Sequence, residues 1–205
     1  MSAQAQWMEA FYDASGSNNP EGFPAAMKLE DLLRQEKAHL INKWFEELIN
    51  TYPPDTSVFL KRQKDAFANP VGQTSLKGLE QLLDVLLENQ DHDTAVSCLD
   101  PVIRIRAVQT MFSPSQVVGF IFSLKKIIRA ELKKELEDPE ILRELHDFEL
   151  KIDEAGLIAF DIFMACREKI YDIKANEERN KIYKAFARAG LVAELPEKSP
   201  GLGAF

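Results

Sequence analysis

Three times between residues 100 and 139 a side chain able to cap a helix stands directly before a proline: Asp100 with Pro101, Ser113 with Pro114, and Asp138 with Pro139. Proline lacks a backbone N–H and holds φ near the helical value, so it suits the first turn of a helix and disrupts the interior. A Ser or Asp just ahead of it can accept from the N–H groups that the first turn leaves open. Each pair therefore predicts a helix start. The remaining internal prolines also mark junctions: Tyr52-Pro53-Pro54-Asp55 ends one helix and opens another with Asp55 as N-cap, and Asn69-Pro70-Val71-Gly72 makes a further break.

Between these marks the apolar residues recur at helical spacing. Leu29, Leu32, Leu33, Leu40, Trp44, Leu48 and Ile49 share one side of a first core helix, with His39 beside them. Leu76, Leu79, Leu82, Leu83, Leu86 and Leu87 form a second stripe. After Ser113, Val117, Val118, Phe120, Ile121, Leu124, Ile127, Ile128 and Leu132 make a band wide enough to be nearly encircled by protein. From Asp138 a helix is expected to run to about Ile173. Along it Ile141, Leu145, Phe148, Ile152, Ala155, Ala159, Ile162, Cys166 and Ile170 alternate by four and three, the spacing of lengthwise packing against the chain's own core or across a dimer seam. No sustained period-two alternation is present, so the fold class is all-α.

The ends differ from this pattern. Residues 1–26 include the turn-rich SGSNNPEG and lack periodicity, which suggests an N-terminal tail with Met27 as an alternative start; residues 191–205 are rich in Pro and Gly and read as a second tail. One helical domain over 27–190 is expected between them, within the usual size of a single core.

A formal net charge of −8 and a pI near 5.0 disfavour nucleic acid and anionic lipid as partners. The most basic stretch, Lys125 to Lys134, spaces its charges between apolar residues as a solvated helix face does. Cys98 and Cys166 have neither zinc nor disulfide spacing and are expected as buried free thiols. The longest apolar run, Val117 to Phe122, is far below the roughly 18 residues of a membrane span, and no export signal is present, so a cytoplasmic protein without membrane insertion is expected.

Chemistry finds little purchase. His39, His92 and His146 are isolated, and no nucleophile elbow, Walker loop or HExxH is present. Asp91, His92 and Asp93 lie in a stretch, Gln90 to Cys98, that reads as an exposed polar loop rather than a metal site. Haem on His39 or His146 is conceivable in an all-α domain but both are better explained as core or surface residues. No catalytic residue, metal or cofactor is expected. The unusual segment is Arg104 to Gln116. There Ser113 and Gln116 form a capping box, a structural role. Arg104, Arg106 and Gln109 instead sit in the otherwise apolar helix Val102 to Phe112, where guanidinium groups need partners. Either they pair with acidic helices of the chain, or one of them meets an anionic ligand or a partner's carboxylate.

The stretches Ile103 to Leu132 (IRIRAVQTMFSPSQVVGFIFSLKKIIRAEL) and Leu40 to Gly72 (LINKWFEELINTYPPDTSVFLKRQKDAFANPVG) resemble the N-terminal domain of the RsbT co-antagonist protein RsbRD, which also precedes bacterial sensor kinases. The resemblance covers most of Met27 to about Ile173. It implies an input domain in stress signalling, related to the haem-free, globin-like heads of stressosome proteins and dimeric like them: a globin-like helical bundle with one long C-terminal helix. Such heads are followed by an output domain, whereas here only Asn176 to Gly190 and a tail remain. The expected function is thus a non-enzymatic, stand-alone regulatory module, a homodimer acting through a protein partner. The alternatives are an accessory protein of a metabolic or respiratory complex, or a carrier of haem or a small anion.

Overall fold

The computed structural model describes residues 28–191. The expected tail over 1–26 and Met27 lie outside the described residues, as does the expected C-terminal tail from residue 192 on. Among the described residues there are seven α-helices and no strand: α1 (Leu29–Gln35), α2 (Lys37–Ile49), α3 (Pro54–Arg62), α4 (Pro70–Glu88), α5 (His92–Ala107), α6 (Pro114–Glu131) and α7 (Pro139–Arg188), with a 3-10 turn at Glu135–Glu137. The chain is all-α, with a long C-terminal helix.

Five helices close a ring around one core: α2 packs on α4, α4 on α5, α5 on α7, α7 on α6, and α6 returns to α2. The stripes supply the ring's interior. Leu40, Trp44 and Leu48 of α2, Leu79, Leu82 and Leu83 of α4, Ile103 of α5, Ile121 and Leu124 of α6 and Ile152 of α7 are all buried. Trp44 donates its indole N–H to the Phe120 carbonyl at 2.7 Å, so the largest core side chain also satisfies its polar atom. At Gly78 a Cβ would strike the Val102 side chain and lie 3.2 Å from the Cys98 carbonyl oxygen; the missing side chain lets α4 and α5 approach closely.

Several local expectations differ from the fold. The first core helix breaks at Glu36 into α1 and α2. Asp55 is not an N-cap, because Pro54 already opens α3 and places Asp55 inside its first turn. Asp100-Pro101 does not start a helix either. Asp91 starts α5 instead, its carboxylate accepting from the Thr94 N–H at 2.9 Å, so Gln90 to Cys98 is mostly helix and Pro101 lies inside α5. The Asp100 carboxylate turns forward to Arg104 Nε, at 2.6 Å, rather than capping. Pro101 faces solvent, where the interrupted backbone ladder is not sealed from water.

The Arg104 helix ends at Ala107, so Val108 to Phe112 form a turn before α6. α6 presents one buried stripe rather than an encircled band, with Phe122 partly exposed. Two of its three basic residues pair within the chain: Lys125 with Asp153 at 2.6 Å, and Arg129 with Glu149 through two bonds of 2.6 and 2.7 Å.

α7 continues past the expected end to Arg188, giving 50 residues and a length of about 75 Å. Its stripe from Ile141 to Cys166 is buried against α5 and α6 of the same chain. Beyond Cys166 no residue of α7 is buried. No helix of the described residues is long and apolar enough to cross a membrane.

Candidate functional site

The chain approaches Arg106 from four directions. α5 carries Arg106 itself; the turn after α2 brings Thr51 and Tyr52; the turn before α6 brings Phe112; and α6 adds Phe120 and the Gln116 carbonyl. Arg106 is 0% exposed. One terminal nitrogen, Nη2, donates to Thr51 Oγ1 at 3.0 Å and to the Gln116 carbonyl at 2.8 Å. The guanidinium carbon lies 4.2 Å from the Phe112 ring centre, 5.4 Å from that of Tyr52 and 5.6 Å from that of Phe120. Tyr52 and Phe112 meet edge to face at 4.9 Å, which holds two walls of this aromatic cage against each other.

The cage is neutral. Among the described residues no carboxylate forms an ion pair with Arg106. Burial therefore pulls its guanidinium below the ordinary range, while the neighbouring Tyr52 hydroxyl acts in the opposite direction. Desolvating the cation costs several kcal/mol. Two bonds to a charged donor, at ~1.5–3 kcal/mol each, and face contacts of up to ~2 kcal/mol offset that cost. Two donors are still unused. Among the described residues the buried side-chain polar atoms without a partner are Arg106 Nε, Arg106 Nη1 and Tyr52 Oη, three atoms in one place.

Tyr52 is also a wall of a cavity of about 330 Å³ formed by α3, the loop after it, the start of α4 and the turn after α5. Phe59, Leu60 and Val71 line it together with Gln109 and Met111; no lining residue is charged. Phe59 and Met111 are half exposed at its rim.

Asn69 shapes this cavity. It is buried, and its amide closes three bonds: Nδ2 donates to the carbonyls of Leu60 (2.9 Å) and Gln63 (2.8 Å), and Oδ1 accepts from the Gly72 N–H (2.9 Å). One side chain thus satisfies the end of α3 and the start of α4. Any Cβ at position 72 would collide with that amide, which explains the glycine of the FANPVG turn.

The structure separates the residues singled out from sequence. Arg104 lies on the exposed face of α5, paired with Asp100 four residues before it. Arg106 is buried without a carboxylate, and Gln109, half buried, lines the cavity. Ser113 and Gln116 form the reciprocal cap, Ser113 Oγ accepting at 3.3 Å and Gln116 Oε1 at 2.9 Å. Thr51, Tyr52 and Phe112 carried no sequence signal for this place, since Thr51 is 55 residues from Arg106. The histidines stay apart: His39 pairs with Glu131 at 2.7 Å, His92 sits at the exposed start of α5, and His146 is on the surface of α7.

A second feature lies on the outer side of α7. Leu150, Leu157, Met164 and Tyr171 recur every seven residues, with Phe160 between them, and all five are exposed, Leu157 to 67%.

The family model described as RsbT co-antagonist protein rsbRD N-terminal domain matches residues 38–177, a range that holds Tyr52, Asn69, Arg106 and this outer face of α7. An uncharacterized protein of Archaeoglobus fulgidus is 30% identical over 80 residues, which are 39% of this chain and 49% of that protein. The chain thus spans about half the length of the curated relative it matches. No solved structure matches it.

Proposed function

Because the chain belongs to the family of RsbT co-antagonist protein RsbRD N-terminal domains, a family of stress-signalling input domains, we propose that it is a non-enzymatic sensory module acting through protein contacts, as a homodimer joined along α7. The observation that carries this reading is the outer face of α7. An exposed apolar residue every seventh position, from Leu150 to Tyr171, is the pattern of a helix that pairs with another over several turns. The inner stripe of the same helix is occupied by its own core, so the outer one is left for a second chain. The working unit is residues 27–190, a globin-like head whose long helix carries its state outward.

Arg106 and Gln109 then mark the input end, with α5, packed on α7, as the element between the two. Light scattering tests the dimer. The expected mass at tens of micromolar is twice the 23.3 kDa of one chain. Leu157→Glu, at an exposed position, should halve it while the chain stays helical, with a melting temperature that no longer depends on protein concentration. A mass of 23.3 kDa for the unaltered chain would remove the proposal.

A further inference from the structure

Arg106 presents a problem that the fold alone leaves unsolved. A permanently charged guanidinium is sealed in a cage of three rings, with two of its nitrogens unpartnered, beside a cavity whose lining holds no charge. Tyr52 belongs to both: its ring closes one side of the cavity, and its buried hydroxyl lies beside the guanidinium but makes no hydrogen bond of good geometry with it or with any other described group. We propose that this cavity binds a small carboxylic acid with an apolar body, its carboxylate passing Tyr52 to pair with Arg106. The inference rests on reading the Arg106 end as the input end, and it adds the chemical class of the input.

Each part of that ligand has a counterpart. A carboxylate can accept a charge-assisted bond from an unused guanidinium nitrogen, and from the Tyr52 hydroxyl with a remaining lone pair. A single negative charge matches the single uncompensated cation. A phosphate dianion would bring a second charge, and the cavity lining supplies no second cation. Phe59, Leu60, Val71 and Met111 suit an apolar body. A volume of about 330 Å³ is at the small end of the ~300–1,000 Å³ range of ligand sites, which selects a short chain or single ring. Gln109 at the wall gives a polar contact for a substituent.

Calorimetric titration of the full chain with octanoate, and with octan-1-ol as its uncharged counterpart, tests this. Octanoate should bind at least tenfold tighter than the alcohol. Hexanoate should be weaker than octanoate by about fourfold for each methylene removed. Arg106→Met, which keeps most of the side-chain volume, should weaken octanoate at least tenfold and leave the alcohol unchanged. Ala68→Phe at the lining should weaken both.

Absence of octanoate binding at millimolar concentration overturns the proposal, as does octanoate binding unaffected by Arg106→Met. If that variant does not fold, the ratio for the unaltered chain decides alone: tenfold or more in favour of octanoate supports the site, and a smaller ratio overturns it. A monomeric chain that binds octanoate in this way would retain the site and discard the dimer; a dimer without octanoate binding would do the reverse.

Discussion

Replacing Asn69 separates two roles that a helix cap usually combines. In Asn69→Ala, α4 loses its N-cap bond to Gly72, worth about 1 kcal/mol in typical helices. The carbonyl of Leu60, buried at that bond, loses its amide donor, and so does the partly buried carbonyl of Gln63. An unsatisfied buried acceptor costs ~1–3 kcal/mol. The sum is about 3 kcal/mol, a large share of the ~5–15 kcal/mol that holds a typical domain together. For a chain of this size it corresponds to a drop in melting temperature of roughly 6–12 °C.

Asn69→Asp is the informative partner. Aspartate caps helices as well as asparagine does, so the bond to Gly72 survives. The amide donor, however, becomes an oxygen facing two carbonyl oxygens. If capping alone mattered, this variant would match the parent chain; with the clamp to Leu60 and Gln63 in place, it should be at least as unstable as Asn69→Ala at neutral pH. The pH dependence follows with a definite sign. Protonating the new carboxyl restores one donor, so its pKa in the folded state is raised above the unfolded value of about 3.9. The folded state then binds more protons through that window, and stability falls as pH rises. Urea unfolding followed by far-UV circular dichroism at several pH values between about 4 and 7 measures the deficit against the parent chain. A deficit for Asn69→Asp that is negligible at pH 7, or independent of pH, would refute the clamp.

Two further outcomes test the packing and the charges. Gly78→Ala should gain about 1 kcal/mol from helix propensity alone, yet the added methyl meets Val102 and the Cys98 carbonyl, so a net loss of ~1–3 kcal/mol is expected in chemical denaturation; a net gain would show that α4 and α5 can separate freely. The Lys43 ammonium, and after it His39, hold the Glu131 carboxyl below the usual carboxylate range. That contribution is present above the unfolded pKa and lost as pH falls through the folded one, so the parent chain should lose more stability than Glu131→Gln between about pH 5 and pH 3. Equal acid sensitivity would mean that the ion pair is immaterial.

How much was legible depended on the reach of each interaction. Ser113 and Gln116 are three residues apart, and their reciprocal cap follows from the local sequence. Pro139 behind Asp138 starts α7 for the same reason, and the leucines of α4 declare their buried face through spacing alone. Asp100-Pro101 carries the same local signal and misleads, because Asp91 had already begun the helix and Arg104 offered Asp100 a better partner. Where two local signals compete, the neighbouring turns decide.

Arg104 and Arg106 show the limit most plainly. Two positions apart on one helix, they point about 200° apart around its axis, so only one of them can face the core. Which one does depends on where the turn after α2 and the start of α6 lie against α5, and that is set by packing among residues far apart in the chain. The sequence by itself determined that this chain is helical, where most helices begin, and that a guanidinium group in the Arg104 to Gln109 stretch would need an explanation, because caps, proline geometry and apolar period act within a few residues. Tertiary structure alone decided that Arg106 is the buried one, that its surroundings are rings instead of carboxylates, and that a cavity opens on the far side of Tyr52, because each of these requires segments more than ten residues apart to meet.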